Sequence, residues 1–298
     1  MKTIVNKRSM DFTDFISEGF KIFIFRIKDF SLLALITVIP LSLFLAMIAS
    51  GVPSQDNQVN IVKINLLCLV LLFQVTVALV ASMSIKLIAE SIIEQKPLSL
   101  TDAIKLAWPK WGRAFTTQLL TSLIILGLSL LLIIPGFIYS IYYIFILDAV
   151  ALRDKDGMEA LRYSKALIEG QWWRIFWISM GIGVIYSIFN GLITFLLSKV
   201  SANPYFAIIP NAITLYVASI FGVVSTVLFL NIDFVHHKKL TRKREVEKRE
   251  QYAPTIEEYL EAKKKKKPST SKRSTVKKVK PMPEKLKTVV KRNNRKKE

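Results

Sequence analysis

The sequence predicts an all-α polytopic membrane protein. Six spanning helices are expected, arranged as three hairpins, with amphipathic cytoplasmic helices and a disordered basic tail. Three observations predict this. Apolar residues gather in blocks of about 20, the length that crosses ~30 Å of hydrocarbon. Basic residues cluster in alternate connections. The charge excess sits at one end: of 298 residues 52% are hydrophobic and 21% charged, with net charge +20. Residues 1–237 hold 18 Lys/Arg and 14 Asp/Glu, whereas 238–298 hold 24 and 8.

The apolar blocks run over 30–50, 64–85, 114–134, 137–152, 175–197 and 205–232. The fourth is short and contains Asp148. Charge placement decides that it crosses. The segments 86–113 and 153–174 are both short and basic, so both are expected inside. An even number of crossings must then separate them, with Pro135-Gly136 as the turn. Residues 51–63 and 199–204 carry one lysine each and are expected outside. No cleavable signal is evident, so the first block is expected to be a retained helix.

An amphipathic stretch precedes three of the helices. Residues 11–26 place Phe12, Phe15, Ile16, Gly19, Phe20 and Phe23 on one face. Residues 99–108 place Leu100, Ile104, Ala107 and Trp108 together, after a capping-box spacing from Ser99 to Asp102. Residues 157–169 group Ala160, Leu161, Ser164, Leu167 and Ile168, with Asp156 placed as N-cap. Aromatic and basic residues follow each stretch, as at Trp111-Gly-Arg113 and Trp172-Trp-Arg174. These units read either as a threefold repeat or as the common form of segments entering a bilayer. The expected domains are therefore 1–28, 29–237 and 238–298, the last disordered from about 263.

The ordered series Leu132-Ile-Ile-Pro-Gly136, Asp148, Gly157-Met-Glu-Ala-Leu-Arg-Tyr-Ser164 and Gly170-Gln-Trp-Trp-Arg174 carries a resemblance. It resembles a family of poorly characterised bacterial integral membrane proteins. That family is related to the membrane domain attached to some glycerophosphoryl diester phosphodiesterases. The resemblance implies a six-helix module of the bacterial cytoplasmic membrane and no catalysis, because the hydrolase domain is absent from these 298 residues.

No phosphate-binding loop, dinucleotide-binding glycine pattern or zinc-protease motif occurs. Catalytic residues, cofactors and metal ligands are accordingly expected to be none. His236 and His237 are neighbours that a helix points to different faces. The single cysteine, Cys68, allows no intrachain disulfide. Three acidic residues lie at helix ends: Glu90, Asp148 and Asp233. A carboxylate at depth pairs, faces a cavity or binds a cation; here a salt bridge or headgroup-level solvation is the preferred reading. Ser179, Gly183, Ser187 and Gly191 recur every four residues, a spacing that lets helices approach closely or self-associate.

In the tail, Lys263, Lys264, Lys265, Lys266 and Lys267 form a run, followed by Lys272 and Arg273. They are the expected contacts for anionic lipid headgroups. Nucleic acid or ribosomal RNA is an alternative partner, though aromatic residues for base stacking are scarce there. The expected function is non-enzymatic organisation or handling of envelope and lipid components, with both termini cytoplasmic. A small transporter or channel using the bundle interior, and an anchor recruiting ribosome or nucleic acid, remain open alternatives.

Overall fold

The apolar blocks fold as helices, and among the described residues there are no strands. The structure is a computed structural model that describes residues 10–49, 61–198 and 208–265. The helices are α1 (Phe12–Phe25), α2 (Ile27–Ala49), α3 (Ile61–Ile93), α4 (Leu100–Ala107), α5 (Trp111–Leu131), α6 (Ile133–Tyr142), α7 (Ile146–Arg153), α8 (Gly157–Ile168), α9 (Trp172–Ser198) and α10 (Ile208–Lys265). Five segments are long and apolar enough to cross a membrane: Cys68–Ile93, Leu100–Leu131, Ile133–Arg153, Trp172–Leu196 and Ile213–Lys248. Leu130, Leu131 and Ile133 are each 80% exposed or more. In water such a surface would drive association; in a bilayer it meets lipid at no cost.

Each amphipathic stretch is helical, but its buried face differs in detail from expectation. In α1 the buried arc is Phe15, Glu18, Gly19, Ile22 and Phe23. Phe20 is exposed, together with Ile24 and Phe25, because the arc centres on Phe15 and Ile22 rather than Ile16. A Cβ on Gly19 would lie 2.5 Å from Val224 Cγ2, so only glycine lets α1 meet α10 this closely. Ser99 caps α4, its Oγ accepting from the Asp102 amide at 3.1 Å. Ala107 is buried as expected, but Trp108, expected on the same face, is exposed, and Ala103 is buried in its place. Small side chains let α4 lie flat on α3.

In α8 the buried residues are the five expected. Asp156 occupies the N-cap position but makes no capping bond. The Gly157 amide donates to Thr117 Oγ1 of α5 at 2.8 Å, so a neighbouring helix satisfies this terminus. Gly157 has φ +50, which favours glycine there.

The fourth apolar block differs most. The break after α5 falls at Leu132, which is extended (φ −155, ψ 123), rather than at Pro135-Gly136. Pro135 sits in the first turn of α6, where its missing N–H costs nothing. Gly136 lies within α6, and a Cβ there would come 2.1 Å from Ser129 Oγ. Its role is close approach of α5 and α6, not reversal. The block is also not one helix: a turn at Tyr143–Phe145 divides α6 from α7. Ser164 of α8 supports that turn. Its hydroxyl donates to the Tyr142 carbonyl at 2.7 Å and accepts from the Phe145 amide at 3.3 Å. Two of the groups freed by the break are thereby paired, as irregular backbone at depth requires.

The chain divides into two units, residues 1–234 and 235–298. In the first, a core of Phe15, Phe23, Phe30, Ile88, Phe145, Leu167 and Phe229 joins α1, α2, α3, α8 and α10. A second cluster, including Met83, Ala114, Ala149 and Leu161, joins α3, α5, α7 and α8. In the second unit α10 continues as helix to Lys265, and Lys238, Lys239, Arg242, Lys243, Arg244 and Lys248 are exposed.

Candidate functional site: a buried ion-paired layer

Glu90, Asp148 and Asp233 come from three helices, α3, α7 and α10, and all three are ion-paired. Lys86 stands one turn before Glu90 on the same face of α3. Its ammonium donates to Asp148 Oδ1 at 2.8 Å. Asp148 is 1% exposed and Lys86 7%. Thr226 of α10 adds a long contact of 3.4 Å to the same oxygen.

Arg153 lies between the other two carboxylates. Nε and Nη2 donate to Asp233 Oδ2 at 2.9 and 2.7 Å, and Nη1 donates to Glu90 Oε1 at 2.6 Å. Its guanidinium also stands 5.6 Å from the Phe229 ring centre. The Tyr163 hydroxyl of α8 donates to Asp233 Oδ1. Burial first, then that bond, pushes the Tyr163 phenol above its ordinary value, so it stays a donor. One short helix thus supplies opposite charges to both pairs. Asp148 lies in the first turn of α7 and Arg153 in the last, each at the end its charge favours.

A more exposed cluster adjoins this layer. Lys110 pairs with Asp154 at 2.7 Å and also donates to the Ala151 carbonyl at 2.8 Å. Arg113 lies 3.6 Å from both Asp154 and Asp156. The Lys110 hydrogen bond holds the Asp154 carboxyl below its ordinary range. Arg26 donates to the Leu98 carbonyl at 2.7 Å, and Arg174 to the Met10 carbonyl at 3.0 Å. The N-terminal segment, residues 86–113, residues 153–174 and Asp233 therefore meet at one end of the bundle.

The small-residue stripe lies elsewhere. Gly183, Ser187 and Gly191 on α9 are exposed and Ser179 is half-buried. A Cβ on Gly183 or Gly191 would meet nothing within 4 Å. Lys263, Lys264 and Lys265 are the last residues of α10, whereas Lys266, Lys267, Lys272 and Arg273 lie outside the described residues. Among the described residues no three His, Cys, Asp or Glu gather as a metal site would require. The sequence alone places Lys86 and Arg153 among the loop charges. The i, i+4 spacing of Lys86 and Glu90 is the signal that the lysine shares the carboxylate's face. Nothing local marks Tyr163, Thr226 or Ser164.

No curated protein and no solved structure matches this chain. A family model described as a domain of unknown function, DUF7847, matches residues 64–235. The match takes in more than half of the chain and every residue of the ion-paired layer, and the chain belongs to the DUF7847 family.

Proposed function

We propose that this chain is a non-enzymatic protein of the bacterial cytoplasmic membrane that organises lipid at the inner leaflet. Its helices cross six times as three hairpins, with both termini in the cytoplasm. The carrying observation is the partition of charge. In the bundle Glu90, Asp148 and Asp233 are each ion-paired, so the buried carboxylates are neutralised within the chain. The excess lies in 238–298, with 24 Lys/Arg against 8 Asp/Glu. Near an anionic surface each basic residue contributes about 1 kcal/mol, screened by salt.

The contacts at one end of the bundle support the topology. Arg26, Lys110, Arg113 and Arg174 tie together segments that the positive-inside rule assigns to one side. Six crossings bring all of them there, and α2, apolar over Ile27–Ala49, supplies the crossing beyond the five segments described above.

The test is vesicle tethering. The full chain is reconstituted in phosphatidylcholine liposomes and mixed with labelled vesicles containing phosphatidylglycerol. Tethering is expected at low salt and is lost at about 1 M salt, where the screening length falls to ~3 Å. Replacing Lys263 to Lys267 by Gln should weaken it at least threefold. Equal tethering of pure phosphatidylcholine vesicles would refute the lipid reading. Preferential capture of RNA over phosphatidylglycerol vesicles would instead support the nucleic-acid anchor.

A further inference from the structure

A cavity of about 200 Å³ lies between α2, α3 and α10. Its α3 wall carries the polar residues Gln74, Ser82 and Lys86 in one stripe with Ala78, flanked by Ala81 and Ile85. This stripe runs about three turns, or ~18 Å of helix. The volume is therefore spread along a narrow, elongated space. On the α10 side Ser219 and Gly222 face it, and a Cβ on Gly222 would meet nothing within 4 Å.

The two ends of the stripe carry unmet hydrogen-bonding capacity. Gln74 donates through Nε2 to the Thr37 carbonyl at 3.0 Å, but its buried Oε1 has no hydrogen-bond partner. At the other end Lys86 donates to Asp148. An ammonium has three N–H groups. Asp148 Oδ1 is the acceptor found for Lys86 among the described residues, which leaves two N–H groups to satisfy. Between them Ser219 Oγ donates to the Tyr216 carbonyl at 2.6 Å and keeps its acceptor capacity. Buried polar groups of this kind are nearly always partnered.

The occupant must therefore donate at Gln74 and accept at Lys86. A free ion is disfavoured because Lys86 and Asp148 already neutralise one another, so either sign of added charge would be buried without a counter-ion. An acyl chain offers neither hydrogen bond. We propose that the cavity holds a file of water leading to the Lys86–Asp148 pair, a hydrated half-channel inside the membrane-spanning bundle. At ~30 Å³ per water the space takes about seven. The proposal concerns the bundle interior and is independent of what the basic extension binds.

Thiol reactivity tests it. Ala78→Cys, Ser82→Cys and Leu72→Cys are made separately in the full chain with Cys68→Ser. Leu72 lies on the same helix and is exposed on the bundle exterior. The reagent is methyl methanethiosulfonate, which permeates lipid, so ionisation of the thiol by water limits the rate. Both cavity cysteines should react at least tenfold faster than Leu72→Cys. Adding Ala81→Phe, which fills the wall, should slow Ser82→Cys at least fivefold. If either cavity cysteine reacts no faster than Leu72→Cys, the space is dry or lipid-filled and the proposal fails. Fast labelling that Ala81→Phe leaves unchanged also overturns it, since the water would then come from elsewhere. Ser82→Cys is close to isosteric, and Ala78→Cys adds one atom facing the cavity. Because Ala81 is buried, a melting curve of each variant in detergent shows that it is folded before labelling rates are compared.

Discussion

At the residue scale, the Lys86–Asp148 pair is a requirement for folding rather than a source of extra stability. Two buried ions repay their desolvation only while both are present. Lys86→Met alone leaves Asp148 buried and unpaired, and should cost about 3–5 kcal/mol. Lys86→Met with Asp148→Leu should recover most of that loss, because an apolar pair of similar volume is often neutral. Thermal unfolding of the purified variants in detergent distinguishes these outcomes; a double variant no better than the single would contradict the pairing. Asp154 behaves differently, being largely exposed. Its folded carboxyl is held low by Lys110, so its contribution is fully present above its unfolded value, ~3.9. The contribution is lost as pH falls from there through the folded value. Asp154→Asn should therefore remove a component of acid sensitivity below about pH 4, read as a smaller drop in melting temperature. The three carboxylates are visible in the sequence as acidic residues at helix ends. Their partners are hidden there, because pairing spans 62 to 80 residues of chain.

At the element scale, the division of the fourth apolar block into α6 and α7 is the main departure from what hydropathy predicts. Hydropathy shows one run, since Tyr143, Ile144 and Phe145 are as apolar in the turn as in a helix. The break is set by a partner: Ser164, on a helix that begins only at Gly157, pairs the Tyr142 carbonyl and the Phe145 amide. Ser164→Ala should cost about 1–3 kcal/mol, the penalty of leaving buried polar groups unmet. A chemical-denaturation midpoint in micelles reads this directly, and an unchanged midpoint would mean that water replaces the hydroxyl. By contrast, the buried face of α8 is legible residue by residue. Its 3.6-residue period and polar opposite side leave one orientation. The Ser99 cap is legible for a similar reason, because capping is a local bond between near neighbours. The missing Asp156 cap is not, because Thr117 from another helix takes over its function.

At the scale of the whole molecule, the paired layer accounts for why neutral and basic regions are separated. Residues 1–237 carry a near balance of charge, and the buried part of it is used in internal pairs. The strongly basic residues 238–298 have few acids among them and are suited to an external anionic surface. This partition is legible in the amino-acid sequence, because it follows from charge counts along the chain and not from packing.

Sidedness is the central claim, and a cysteine map measures it directly. Single cysteines at Ser54, Glu94, Ile134, Ser201 and Ser271 are placed in the Cys68→Ser chain and labelled with an impermeant maleimide in spheroplasts. Six crossings with internal termini predict labelling of Ser54→Cys, Ile134→Cys and Ser201→Cys in intact spheroplasts. Glu94→Cys and Ser271→Cys should label only after permeabilisation. Labelling of Glu94→Cys or Ser271→Cys from outside, or protection of Ile134→Cys until permeabilisation, would contradict it.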